Sequence, residues 1–205
     1  MDDLIRPDHS YLAPTDECFF IGEYKPRQGF KAGWGNDLVS NLKKSPLKKA
    51  LPEYRYKVAA IRQAAGAWRG ALPADWIART TFVPVPPSKC EEHPEYDDRV
   101  EQMARLFAAD VRLLVRQDGD REAAHLSDDR PKPADHLARY QIDERFVAPL
   151  PTQIAVIDDM LTTGASFVAM RTILAGRFPG VPVYGLFLTR RVPEAFDFNI
   201  IFDGL

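Results

Sequence analysis

The sequence predicts an α/β protein with a mainly parallel sheet flanked by helices. Three observations carry that expectation. Ile154-Ala155-Val156-Ile157 is a short continuous apolar run, the pattern of a strand buried on both faces of a parallel sheet. Phe167, Met170, Leu174 and Phe178 then recur at spacings that keep one helix face apolar. After the turn Phe178-Pro179-Gly180, Val183 to Thr189 forms another apolar run. Strand, helix, strand is the unit of a parallel sheet.

The rest of the chain adds elements in order. Cys18 to Tyr24, with Phe19-Phe20-Ile21 at its centre, reads as a strand, and Lys25 to Gly35 as a Gly/Pro turn region. Asn36 or Asp37 can cap a helix through Leu38, Val39 and Leu42, ended by Ser45-Pro46. A second helix covers about Tyr54 to Trp68, with Tyr54, Val58, Ile61, Ala65 and Trp68 on one face. Gly70 to Pro73 breaks that pattern. Residues 1–75 are taken as an N-terminal basic flanking or hood region, packed on a core of residues 76–205 and covering its active site. Within that core, Thr80 to Val85 is a strand, and Pro84 suits its end rather than a paired centre. Asp97 or Asp98 can cap a helix carrying Val100, Met103, Phe107 and Val111 on one face. Arg116 to Arg145 is a long polar, charged loop, and loops of that length are functional or mobile. Phe198 to Phe202 reads as an edge strand.

Composition narrows the class. A length of 205 residues with 45% hydrophobic content is enough for one cored domain, with or without an appendage. No run approaches 18 apolar residues, so no membrane span and no membrane partner are expected. The acidic, polar start from Met1 to Pro14 does not read as a signal peptide. Cys18 and Cys90 form no metal-spacing pattern, and a reducing cytoplasm is the expected location. The net charge of −2 is unevenly spread. Lys25 to Arg69 holds 11 Lys/Arg against Asp37 and Glu53, leaving 16 basic and 27 acidic groups elsewhere. Phe30, Trp34, Tyr54, Tyr56 and Trp68 lie among those cations. Two readings stand: a solvated basic face over buried aromatics, or a surface for single-stranded nucleic acid on residues 25–69.

The chemistry concentrates after the apolar run Ile154–Ile157. Two carboxylates, Asp158 and Asp159, come next, then Met160 and Leu161, then Thr162, Thr163, Gly164, Ala165 and Ser166. Ligands in open α/β sheets bind beyond the C-terminal strand ends. Backbone N–H groups in such a turn, together with the positive end of the next helix, form an anion site. Thr162, Thr163 and Ser166 add hydroxyls, and Gly164 lets the backbone approach a phosphate. Asp158 and Asp159 would repel that phosphate, but a ribose diol donates hydrogen bonds to carboxylates. The stretch therefore reads as a cradle for ribose 5-phosphate. An ordinary Asp-Asp turn before a helix cap is the plain alternative.

This segment resembles the PRPP-binding motif of the type I phosphoribosyltransferases: apolar strand, two acids, two apolar residues, Thr-Thr-Gly-x-Ser/Thr. Ala155 stands where a larger aliphatic residue is usual. The resemblance implies the type I phosphoribosyltransferase fold, with PRPP and pyrophosphate as ligands and Mg²⁺ as cofactor. It makes Pro87, Ser88 and Lys89, after Val83-Pro84-Val85-Pro86, the pyrophosphate loop, with Lys89 its cation. Asp158, Asp159 and Lys89 become the catalytic set. Mg²⁺ is carried mainly on PRPP, with Asp158 or Asp159 as protein ligand. The segment also resembles the ComF-like branch, through Val83–Pro86, Arg99, the Leu186-Phe187-Leu188-Thr189-Arg190 tail and, weakly, Asn41-Leu42-Lys43-Lys44. Unlike many of that branch, this chain shows no Cys-rich zinc module. The family has a flexible loop where Arg116–Arg145 lies, making Arg130, Lys132, His136 and Arg139 candidate contacts; His93 is a weaker candidate. The implied activity is Mg²⁺-dependent transfer of ribose 5-phosphate from PRPP to a nitrogenous acceptor. Alternatives are a non-catalytic regulator of the same fold, a nucleic-acid-binding protein, or a defence effector that consumes nucleotides. A homodimer or a protein partner is left open.

Overall fold

The computed structural model describes residues 1, 5–118 and 131–193. Strand β1 (Cys18–Tyr24) is followed by helices α1 (Trp34–Leu42), α2 (Arg55–Ala71) and α3 (Ala74–Ala78). Strand β2 (Thr81–Pro84), helix α4 (Arg99–Arg105) and strand β3 (Val115–Gln117) come next. After residues 119–130, helix α5 (Pro133–Leu137) and strand β4 (Tyr140–Ile142) lead to β5 (Ile154–Leu161), α6 (Ala165–Arg177) and β6 (Val183–Arg191).

Among the described residues, one four-stranded parallel sheet has the order β1-β6-β5-β2. Helices flank it. On one face, α1, α2 and α4 bury Leu38, Leu42, Ile61, Trp68 and Met103 against Phe82, Ala155, Ile157, Leu186 and Leu188. On the other, α6 buries Phe167, Met170 and Leu174 against Val83, Ile154, Val156 and Phe187. The alternation of Ile154, Ala155, Val156 and Ile157 between the two clusters is the period-two geometry of a strand covered on both sides. The expected apolar face of α6, from Phe167 to Phe178, is buried as read.

Several expectations change. Part of residues 1–75 belongs to the sheet and its core: β1 pairs in parallel with β6 over Cys18–Tyr24, and α1 and α2 share a core cluster with α4. Helix α1 starts at Trp34, after Gly33 at φ 135°, and not at an Asn36 or Asp37 cap. Asn36 is buried and does other work. Its side chain accepts from Lys25 N–H (2.8 Å) and donates to the carbonyls of Lys25 (2.7 Å) and Gly29 (2.9 Å), closing the turn after β1. On α2, Val58 is exposed and Lys57 is buried, so the inward face runs through Lys57, Ala60, Ile61, Ala64, Ala65 and Trp68. The described part of the polar stretch from Arg116 contains strand structure, because β3 and β4 pair antiparallel. Phe198–Phe202 and Arg130 lie outside the described residues.

Candidate functional site

Parallel pairing sets the site. Thr81 to Pro84 of β2 align with Ile154 to Ile157 of β5, so the chain leaves both strands at the same edge of the sheet. Val85 N–H donates to the Ile157 carbonyl (3.0 Å), extending the pairing one step. Beyond it, Pro86 to Lys89 turn away on one side, and Thr162 to Gly164 turn into α6 on the other. A cleft of about 970 Å³ opens between them. That volume lies near the upper end of small-molecule sites.

The cleft gathers Pro87, Ser88, Lys89, Asp158, Asp159, Met160, Thr162 and Ser166. The other residues of the motif sit behind it: Leu161, Gly164 and Ala165 are buried, and Thr163 is half-buried. The region of β3 and β4 adds Arg116, Gln117, His136, Asp143 and Arg145 to the lining. Of the candidates in the polar stretch, His136 reaches the cleft. Lys132 and Arg139 are exposed, and Lys132 N–H donates to Asp135 (2.8 Å) at the start of α5. His93 Nδ1 accepts from Glu95 N–H (3.0 Å) in the turn that follows the Lys89 loop.

The strand reaches further than the apolar run suggested. β5 continues through both acids to Leu161, with Asp158 aligned to Phe187 and Met160 to Thr189. Asp158 is half-buried and Asp159 is 5% exposed. Arg99, the first residue of α4, donates to Asp159 Oδ2 from Nε (2.9 Å) and Nη2 (2.6 Å). Lys43 Nζ lies 3.8 Å from Asp159 Oδ1. Arg99 Nη1 also donates to Asp97 (2.8 Å), which accepts from Lys57 Nζ (2.6 Å). Lys57, 1% exposed, also donates to the Lys44 carbonyl (2.9 Å). Opposite charges thus alternate from Lys57 through Asp97 and Arg99 to Asp159 and Lys43.

That network separates the two acids electrostatically. Burial pushes the Asp158 carboxyl upward, and the neighbouring Asp159 charge pushes the same way. For Asp159, burial also pushes upward, but Arg99 and Lys43 outweigh it and hold the carboxyl below its ordinary range. Burial disfavours the Arg99 cation, but Asp159 and Asp97 more than offset this and raise its pKa. Burial lowers the Lys57 ammonium, against the pull of Asp97.

The hydroxyl–glycine loop is held from behind by the N-terminal segment. His9, fully buried, points Nδ1 at the Thr162 carbonyl, and Tyr11 N–H donates to the Thr163 carbonyl (3.0 Å). Gly164 caps α6 in the left-handed region at φ 86°. A Cβ there would lie 2.7 Å from Leu12 Cδ2, and Leu12 does not line the cleft. The glycine therefore answers to backbone conformation and to Leu12, not only to a ligand's approach. Asp16, nearly fully buried, ties the same segment to α6 through Arg171 (2.5 Å).

Comparison of the sequence with models of known protein families and with curated proteins gives no match to either. No helix among the described residues is long and apolar enough to cross a membrane. Among them no group of three or more His, Cys, Asp or Glu side chains is placed to hold a metal ion. Two adjacent carboxylates, Asp158 and Asp159, do line the cleft, and a magnesium ion that keeps waters and substrate phosphate oxygens needs only one or two protein carboxylates.

The residues missed from the sequence are Lys43, Lys57 and Asp97 as partners of the acidic pair, and Arg116, Asp143 and Arg145 as lining. A signal existed for one: Lys57 falls on the apolar face of α2, four residues before Ile61. A lysine there must find a buried anion.

Proposed function

We propose that this chain is a phosphoribosyltransferase of the type I fold, transferring ribose 5-phosphate from PRPP to a nitrogen acceptor and releasing pyrophosphate. One observation carries the reading. An acid-bearing strand end, a hydroxyl–glycine loop opening a helix, and the Pro87-Ser88-Lys89 loop of the neighbouring parallel strand all line a single cleft. The first turn of α6 presents N–H groups that have no intrahelical acceptor, which suits the 5-phosphate, with Thr162 and Ser166 hydroxyls beside it. Lys89 and the backbone after Pro87 suit the diphosphate. The acceptor nitrogen bonds to C1 as the C1–O bond to diphosphate breaks; the electron pair leaves with pyrophosphate and the nitrogen releases its proton. Carboxylates beside the ribose favour the positive charge that develops at C1. Mg²⁺, carried on PRPP with Asp158 as the protein carboxylate, would offset charge on the leaving group. Binding of the 5-phosphate holds C1 for attack.

The test is turnover with PRPP and Mg²⁺ against a panel of bases, nucleosides and nucleotides, read by pyrophosphate release and product mass. A ribosylated product that vanishes in Lys89→Ala supports the reading. No PRPP binding and no product with any acceptor would overturn it.

A second reading rests on a different surface. Phe30 (60%), Trp34 (39%) and Tyr56 (47%) are exposed among the cations of residues 25–69, whereas Trp68 is buried. Exposed aromatics between lysines suit stacking of unpaired bases on a regulator of the same fold.

A further inference from the structure

Asp158 and Asp159 are neighbours in sequence but not in surroundings. Along β5, Ile154 and Val156 pack on the α6 side, while Ala155 and Ile157 pack on the side of α1, α2 and α4. The same alternation sends Asp158 toward α6 and its loop, and Asp159 toward α4. The contacts agree. Asp159 Oδ2 accepts twice from Arg99, and Oδ1 faces Lys43. Asp158 Oδ1 accepts from the Asp159 N–H (2.7 Å), and among the described residues no donor reaches its Oδ2. A carboxylate offers about four lone-pair sites. Those of Asp159 are largely committed within the protein, and those of Asp158 largely open to the cleft.

We propose that the acidic pair divides its work: Asp158 alone contacts the ligand's ribose diol, whereas Asp159 is a positioning residue that locks Arg99, and through it the start of α4, against the end of β5. This rests on the reading of the cleft as a PRPP site, and it replaces the shared diol-binding role implied by the motif. It also gives Arg99 a defined task. Arg99 opens α4, the next helix after the turn carrying Lys89, ten residues on, so fixing Arg99 on Asp159 ties that wall of the cleft to the strand bearing Asp158. Asp97, Lys57 and the Lys44 carbonyl extend that tie back to α2 and to the turn after α1. These charge pairs thereby reinforce the β2–β5 pairing that sets the two halves of the cleft side by side.

Two measurements on the intact chain test this. The first needs no ligand. Thermal unfolding is followed for Asp158→Asn, Asp159→Asn, Arg99→Gln, Arg99→Lys and the double variants of Arg99→Gln with each aspartate change. Asp159→Asn and Arg99→Gln should each lower Tm, and together should lower it by clearly less than the sum. Asp158→Asn should leave Tm near wild type and add independently to Arg99→Gln. Arg99→Lys should restore part of the loss. The second is calorimetric affinity for PRPP with Mg²⁺, at a temperature where every variant is folded. Asp158→Asn should weaken binding about 10- to 100-fold, the loss of one charge-assisted contact. Asp159→Asn should lose less, and Arg99→Lys should recover affinity relative to Arg99→Gln, which a purely structural arginine would not require once the protein is folded. Equal loss of affinity in the two aspartate variants, or coupling of Arg99 to Asp158 as strong as to Asp159, would overturn the division of work. A wild type that fails to bind PRPP while the Tm pattern holds would overturn the ligand, and the diol contact of Asp158 with it, but not the Arg99–Asp159 lock.

Discussion

Gly164→Ala separates what the loop owes to the protein from what it owes to a ligand. The residue sits at φ 86°, and an L-residue in the left-handed region costs about 1–2 kcal/mol. The new Cβ would lie 2.7 Å from Cδ2 and 2.8 Å from Cγ of Leu12, a buried side chain that must shift. Overpacking of that kind costs about 1–3 kcal/mol. The two together predict a loss of about 2–5 kcal/mol with no ligand present. For a chain of this size that corresponds to a fall in Tm on the order of 4–20 °C. Urea unfolding followed by circular dichroism measures it, with Leu12→Ala and the double variant completing a cycle. Leu12→Ala alone costs about 2–5 kcal/mol as a large-to-small core change. It also removes the atoms that the new Cβ meets, so the double variant should be more stable than additivity predicts by about 1–3 kcal/mol. A Gly164→Ala midpoint equal to wild type, or strict additivity in the cycle, would refute the view that Leu12 and the left-handed cap select this glycine.

Three further outcomes follow from the same geometry. Asp97→Asn leaves Lys57 buried without its carboxylate, so it should cost about 3 kcal/mol, and adding Lys57→Met should return part of that loss in chemical denaturation. Burial holds the His9 pKa below 6.5, so between its folded and unfolded values the unfolded chain binds more protons; stability present above pH 6.5 should be lost as pH falls below it, and His9→Gln should flatten that part of the Tm–pH profile. If residues 25–69 bind single-stranded nucleic acid, Lys48→Glu with Lys49→Glu, two exposed lysines remote from the acidic pair's contacts, should reduce the slope of log K against log salt by about 1.4; an unchanged slope, or no binding to any oligonucleotide, removes that surface from consideration.

Much of the layout was legible because backbone periodicity follows local rules. β1 runs from Cys18 to Tyr24 as its apolar centre suggested, and the buried stripe of α6 is the one read from Phe167 to Phe178. The failures have physical causes. β5 extends over Asp158 and Asp159 because ladder pairing with β6 uses backbone groups and ignores side-chain polarity. β3 and β4 hid in a charged stretch because each is three residues long with one buried residue, Val115 in β3 and Tyr140 in β4, too short to show alternation. A hydropathy pattern places Val58 and not Lys57 inside α2 because it assigns lysine to solvent, while Asp97, 40 residues away, makes the buried position tolerable. The candidate site divides the same way. The motif on β5 and its loop is contiguous and could be read. The Arg99–Asp159 lock joins residues 60 apart and exists only once the sheet and α4 are assembled.

The position of the cleft has a cause that is independent of its chemistry. After β2 the chain passes through α4 and returns at Val111, which bridges Phe82 in parallel on the edge of β2 away from β5. After β5 it passes through α6 and returns as β6 on the other side. The connections that leave β2 and β5 therefore diverge, and the gap between them lies where the direction of winding reverses. Open α/β sheets bind their ligands at such a point, outside the carboxyl ends of the strands. Topology thus supplies a crevice whatever residues line it, and fold alone does not choose the ligand. The choice comes from side chains that the topology did not require. A left-handed glycine backed by Leu12 turns the chain tightly into α6. Thr162 and Ser166 stand at that helix start, Lys89 stands on the opposite connection, and one open carboxylate, Asp158, stands between them. An anion at each end and a polyol in the middle would satisfy all of these groups together, which is the form of the ribose 5-phosphate bearing a C1 diphosphate that we propose as the ligand.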